Sequence, residues 1–124
     1  MKIRTINPLR DANAFWLGLD EPGYRRKVFK IVDRELVNSE FMVAGLTIFD
    51  PGESSSVHNH PESEEINYIV RGSGTVLSEG EEEEFGSNSF MFIPKGVVHR
   101  HVNTGAEPLW LVFIYTPPGD TPTT

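Results

Sequence analysis

The four histidines of the chain fall in two pairs, His58-Asn59-His60 and His99-Arg100-His101. In a β-strand, residues i and i+2 project to the same face, so each pair presents its imidazoles side by side. Paired imidazoles on one strand are half of a metal site. Glu65 stands five positions after His60, beyond the bend Pro61-Glu62-Ser63, where a returning strand can set its carboxylate beside the two rings. His99, just after Pro94-Lys95-Gly96, brings a further ligand from the far half of the chain. A lone His-x-His pair is more often chance or a surface feature than a site, and Pro and Gly alone are ordinary turn residues. The combined spacing is the specific signal.

Strands must carry these residues. Helical periodicity is nearly absent, and only 8–19 reads as a short helical turn. From Lys27 onward, β-rich runs cover 27–32, 41–49, 54–60, 65–71, 75–78, 83–85, 89–93, 98–103 and 109–116. Turn residues break them at Asp50-Pro51-Gly52, Gly72-Ser73-Gly74, Glu79-Gly80, Gly86-Ser87-Asn88, Pro94-Lys95-Gly96 and Thr104-Gly105-Ala106. Short strands at this spacing point to an all-β sandwich or barrel. Glu79-Gly80 is a hairpin signal, and the run from Glu81 to Glu84 reads as its solvated rim, since it lacks the ligand spacing of a calcium loop. Residues 117–124, with three prolines, read as a loose tail. No internal repeat is visible, and 124 residues make one domain, 1–124.

Composition narrows the chemistry. The chain has no cysteine, which excludes disulfide scaffolds, thiolate zinc sites, cysteine nucleophiles and iron–sulfur clusters. Any metal must therefore be held by histidine, carboxylate or carbonyl groups. A net charge of −7 repels phosphate backbones and argues against nucleic acid as a partner. The longest apolar run, 109–115, is far too short to span a membrane as a helix. With no apolar leader in the first fifteen residues, a cytoplasmic location is expected.

Two longer patterns enclose the histidines. The first is Gly52, five residues, His58-x-His60, four residues, Glu65, six residues, Gly72; the second is Asn88, five residues, Pro94-x-Gly96, two residues, His99, three residues, Asn103. This resembles the cupin superfamily, in particular its small single-domain metal-binding members, which include stand-alone polyketide-cyclase-like and dioxygenase-like proteins. The one departure is Asn88, where the family has Gly; Asn is the non-glycine residue that best tolerates positive φ. The resemblance implies a double-stranded β-helix (jelly-roll) barrel of nine to eleven strands with little helix. It implies His58, His60, Glu65 and His99 as ligands of one divalent transition metal ion. Three imidazoles and a carboxylate suit Fe, Mn, Ni, Co or Zn and leave positions open on an octahedral ion. Glu64 is the rival carboxylate, but it falls on the opposite side of its strand.

The function implied is a metal-dependent enzyme acting on a small oxygen-rich organic substrate, by dioxygenase, decarboxylase, lyase, cyclase or isomerase chemistry. The alternative is a non-catalytic ligand-binding or sensing barrel with a structural metal. His101 shares the strand face of His99 and is the candidate for moving a proton, the other reading being a core-edge histidine bonded to backbone. Asn67, two residues past Glu65, is expected to face inward and to orient a ligand or touch substrate, and Phe92 is the other candidate substrate contact. Phe41, Met42, Phe49, Phe90, Met91, Phe92 and Trp110 are expected in the barrel wall and core. Arg26, Arg71 and Arg100 could each hold a substrate carboxylate, with at least two of them expected at the surface. The resemblance also implies a homodimer.

Overall fold

The computed structural model describes residues 3–119. Its centre is the most apolar segment of the chain. Residues Leu109–Thr116 alternate between buried and half-buried positions, with Leu109, Leu111, Phe113 and Tyr115 facing inward, so the segment forms a strand covered on one side. Among the described residues there are nine strands: β1 (Asn13–Leu17), β2 (Arg26–Val32), β3 (Val43–Phe49), β4 (Glu64–Arg71), β5 (Gly74–Ser78), β6 (Glu81–Phe85), β7 (Phe90–Ile93), β8 (Arg100–Val102) and β9 (Leu109–Thr116). Two single-turn helices, α1 (Pro8–Asp11) and α2 (Arg34–Val37), flank β1 and β2. No helix among them is long and apolar enough to cross a membrane.

All pairings between these strands are antiparallel. The larger sheet has the order β1-β2-β3-β9-β4-β7 and the smaller the order β6-β5-β8. The inner face of the larger sheet supplies the core, with Leu17, Val28, Val43 and Phe49 packed against Ile69 of β4 and the inward side chains of β9. Phe85 of the smaller sheet closes against this cluster. On the inner face of β4, next to Ile69, stand Glu65 and Asn67, polar yet buried. Burying such groups is costly unless they have partners, which marks where function overrides packing.

The turns follow their residues. The β5–β6 hairpin turns through Glu79 (φ +50°) and Gly80 (φ +80°), the paired positive φ of a tight hairpin. Asn88 sits at φ +62°, so asparagine does adopt the left-handed conformation for which glycine is the usual residue, and its Oδ1 accepts from the Tyr68 hydroxyl at 2.7 Å. Gly72 lies at φ +90°, and a Cβ there would come within 2.7 Å of the Pro108 carbonyl oxygen. A side chain at that position is therefore strained twice over.

The structure departs from the sequence reading at several places. The helical stretch expected over 8–19 is one turn, capped by the Asn7 side chain on the amides of Leu9 and Arg10, after which the chain becomes β1. The acidic run is not only a rim; it is β6, an edge strand whose four glutamates are exposed. The 54–60 run is no regular strand but touches the chain opposite through isolated bridges, Ser54 to Val102 and His58 to His99. Of the aromatic and methionine residues expected in the wall and core, Phe49 is buried, whereas Phe41, Met42, Phe90 and Phe92 are exposed. Of the tail, 117–119 is exposed and the remainder lies outside the described residues.

Candidate metal centre

His58 and His99 are joined through their backbones, each amide donating to the other's carbonyl at 3.0 and 2.8 Å. This mutual pair sets the imidazoles side by side, with ring centroids 4.4 Å apart. His60 follows two residues later, its carbonyl accepting from the Gly96 amide at 3.0 Å and its ring stacked on Tyr115 at 4.5 Å. The Pro94-x-Gly96 turn is thereby tied to the first histidine pair. One ring nitrogen from each of His58, His60 and His99 lies within 4.8 Å of the others. β4 returns Glu65 to the same place, with Oε1 at 3.1 Å from His60 Nε2 and 3.7 Å from His99 Nε2.

The ring orientations follow from the backbone. His58 Nδ1 lies 2.8 Å from the Ser56 carbonyl, and His99 Nδ1 lies 2.9 Å from the Val97 carbonyl. A carbonyl only accepts, so both rings carry a proton on Nδ1, which in the neutral imidazole leaves the lone pair on Nε2. The same device, a carbonyl two residues back, acts in both halves of the chain. It is the arrangement by which metal-ligating histidines are commonly held.

Glu65 Oε1 and His99 Nε2 are buried without a hydrogen-bond partner. The contact of Oε1 with His60 has ion-pair distance but not hydrogen-bond geometry. Two acceptor atoms facing each other in a dry site are costly, and a divalent cation between them would satisfy both. The donor set fits such an ion. The other carboxylate oxygen is fully engaged: Asn67 Nδ2 donates to Glu65 Oε2 at 2.7 Å, and Asn67 Oδ1 receives His101 Nε2–H at 2.9 Å. Burial pushes His101 down to about 3 and His58 down to about 4. Burial pushes Glu65 up, but His60, His101 and Asn67 together outweigh it and hold the carboxyl at about 2.

Residues 45–115, which contain every one of these side chains, match the family model described as a cupin domain. The chain belongs to the cupin family. The cupin is 40% identical over 73 residues to the polyketide synthase protein CurC of Streptomyces cyaneus, covering 59% of this chain and 47% of that one. It is 37% identical over 67 residues to the tetracenomycin polyketide synthase protein TcmJ of Streptomyces glaucescens, covering 54% and 45%. The chain thus spans about half the length of the curated relatives it matches. In structure it resembles a predicted oxalate decarboxylase from Thermotoga maritima, with a TM-score of 0.79 at 18% identity over 93% of this chain and 100% of the other. A cupin 2 conserved barrel domain protein from Salinispora arenicola superposes with a TM-score of 0.67 at 23% identity, over 93% and 87%. At these identities the two structures establish the double-stranded β-helix fold.

The other expected site residues fall on different sides of the cupin wall. Glu65 is buried and Glu64 exposed, as period two requires. Asn67 is fully buried and holds Glu65 and His101 in place, while the cavity beside the histidines is lined by His101 and Glu65 and not by Asn67. Phe92 does not reach this cavity. It pairs with Ile66 on the outer face of the sheet and is 60% exposed, so its assignment as a substrate contact is corrected. Arg71 sits outside, 3.6 Å from Glu107, and Arg100 is held by Ser54 Oγ and lies over the Tyr24 ring. Arg26 lines the cavity together with Thr47, Ser55 and Tyr115. The last three had no sequence signal, because their types are common in any strand. Asn103 closes the second motif from behind, donating through Nδ2 to the carbonyls of Phe49 and Glu107 and accepting the Gly105 amide on Oδ1.

Proposed function

We propose that this cupin is a metal-dependent enzyme acting on a small oxygen-rich organic substrate. The observation that carries the reading is the buried, facing pair of Glu65 Oε1 and His99 Nε2 within a cluster of three imidazoles. His58, His60, Glu65 and His99 would hold the ion. When bound, a divalent Fe, Mn, Ni, Co or Zn ion would supply Lewis-acid polarisation of an oxygen donor, or redox chemistry in the case of iron. The chain's own contribution is a sheltered chamber walled by Leu17, Val28, Phe49, Leu111 and Phe113. His101, with its Nε2 proton committed to Asn67 and its ring held neutral by burial, has Nδ1 left as a hydrogen-bond acceptor for a substrate hydroxyl. Two relatives have polyketide synthase in their names, so poly-carbonyl compounds belong among the first substrates assayed.

The test is the metal content of tag-free protein as purified, beside His99→Ala and Glu65→Ala. About one ion per chain in the wild type, lost in both variants while the circular dichroism stays that of a folded β protein, supports the centre. Turnover lost with the metal supports the enzyme. Metal retained with no turnover on any candidate substrate favours the non-catalytic ligand-binding barrel. Absence of metal that cannot be restored by adding it back refutes the four-ligand reading.

A further inference from the structure

The cavity against the histidines has one cationic side chain in its described lining, Arg26. Arg26 opens β2 opposite Leu17 of β1, and both side chains turn inward. Only 3% of it is exposed. Nη1 donates to the Tyr24 carbonyl at 3.0 Å, which fixes the guanidinium from the strand's own entry. Burial lowers its pKa to about 10, which still leaves the group charged at neutral pH.

A desolvated guanidinium interacts with an anion far more strongly than one in water, because the local dielectric is low. With a divalent ion in place, the ion and Arg26 outweigh the single negative charge of Glu65, and the chamber carries about two net positive charges. The remaining walls are mostly apolar and screen nothing. The chamber is also small: the centres of water-sized molecules can occupy about 50 Å³ of it, against roughly 10–15 Å³ for one water. An occupant therefore has a handful of heavy atoms inside.

We propose that Arg26 receives the carboxylate of the substrate, and that the substrate class is a small carboxylic acid with a second oxygen donor directed at the metal centre. This inference rests on the metal reading above. Arg26 is then the specificity residue: a guanidinium suited to a carboxylate, lining the same chamber as His58, His60 and Glu65.

Malonate and malonamide provide the test, since they share shape and oxygen spacing and differ in charge. Zinc-loaded wild type and Arg26→Met are titrated with each by calorimetry, after zinc stoichiometry has been measured for both. The inference expects unchanged zinc content, a malonate affinity roughly tenfold to hundredfold weaker in the variant, and a malonamide affinity changed by much less. Arg26→Lys, which keeps the charge and loses the guanidinium, should fall between them. Equal malonate affinity in a zinc-loaded variant overturns the role of Arg26 and leaves the metal centre standing. Wild type that takes up no zinc overturns the metal reading, and this inference with it. Should Arg26→Met not fold, the Nε–H resonance of Arg26 in zinc-loaded wild type decides: it must shift with malonate and not with malonamide, and an unmoved resonance refutes the contact.

Discussion

Asn67→Leu is the perturbation that most directly tests how the site is held. Leucine keeps asparagine's branching and number of side-chain heavy atoms but is bulkier, so the change removes the polar contacts without opening a cavity, and overpacking adds to the loss. Asn67 is fully buried and makes two side-chain hydrogen bonds, to Glu65 Oε2 at 2.7 Å and from His101 Nε2 at 2.9 Å. A bond to a charged group contributes about 1.5–3 kcal/mol and a neutral one about 0.5–1.5 kcal/mol, and orphaning both partners in a dry site puts the loss at the upper end. The expected destabilisation of metal-free protein is therefore about 3–4 kcal/mol, read from urea unfolding midpoints at an unchanged slope. Because Glu65 also loses the donor that orients it, metal affinity should fall by about 10- to 100-fold, measured by competition with a chelating dye. Asn67→Asp is the companion variant: it retains the shape but sets a second carboxyl against Glu65, and should be at least as damaging. A loss below about 1 kcal/mol in Asn67→Leu, with metal affinity unchanged, would refute the view that Asn67 positions the carboxylate.

Asn103→Ala should cost roughly 2–4 kcal/mol without any change in metal stoichiometry, because three hydrogen bonds of about 1 kcal/mol each disappear from a buried corner; a urea midpoint within error of wild type contradicts this. The stability of metal-free protein should also depend on pH. His101 and His58 are held neutral by burial at about 3 and about 4, below the ordinary 6.5. Their unfolded forms bind protons first, so stability is fully present above about pH 6.5 and falls as pH drops toward 4, by up to about 1.4 kcal/mol per pH unit for each ring. Unfolding midpoints that do not move between pH 7 and pH 5 in chelator-treated protein would show that these rings are not buried as described.

How far the sequence could be read depended on whether local chemistry or long-range parity decided the matter. That His58, His60, Glu65 and His99 come together was legible from the spacing of the two motifs, a Pro-bounded bend and an asparagine able to take φ +62°, although His58 meets His99 at an isolated bridge and not within a regular strand. The face of Phe92 was not. The run Phe90-Met91-Phe92-Ile93 is apolar at every position, so period two gives no parity, and the register is set only by pairing with β4, where Glu65 faces Ile93 and Ile66 faces Phe92. Arg26 was ambiguous for the same reason. Arg25-Arg26-Lys27 reads locally as a solvated basic run, and only the ladder with β1 turns the middle residue inward. The irregular 54–60 segment escaped because its partner lies some forty residues away and meets it at isolated bridges.

That irregularity has a function in the proposed centre. A regular ladder through His58 and His60 would have set the carbonyls of 56 and 97 against neighbouring amides. Isolated bridging leaves those carbonyls for the Nδ1 protons of His58 and His99, which turns both Nε2 atoms into the site. The two halves of the chain meet at this seam, through the reciprocal amides of His58 and His99 and through Gly96 on His60. An ion held by His58, His60 and Glu65 from the first half and His99 from the second would bridge the seam at its most polar and least satisfied point. Ligand binding of this kind stabilises the folded chain by about 2.7 kcal/mol at a free concentration of one hundred times Kd. The unsatisfied pair that marks the site is therefore also the part of the fold with most to gain from being filled.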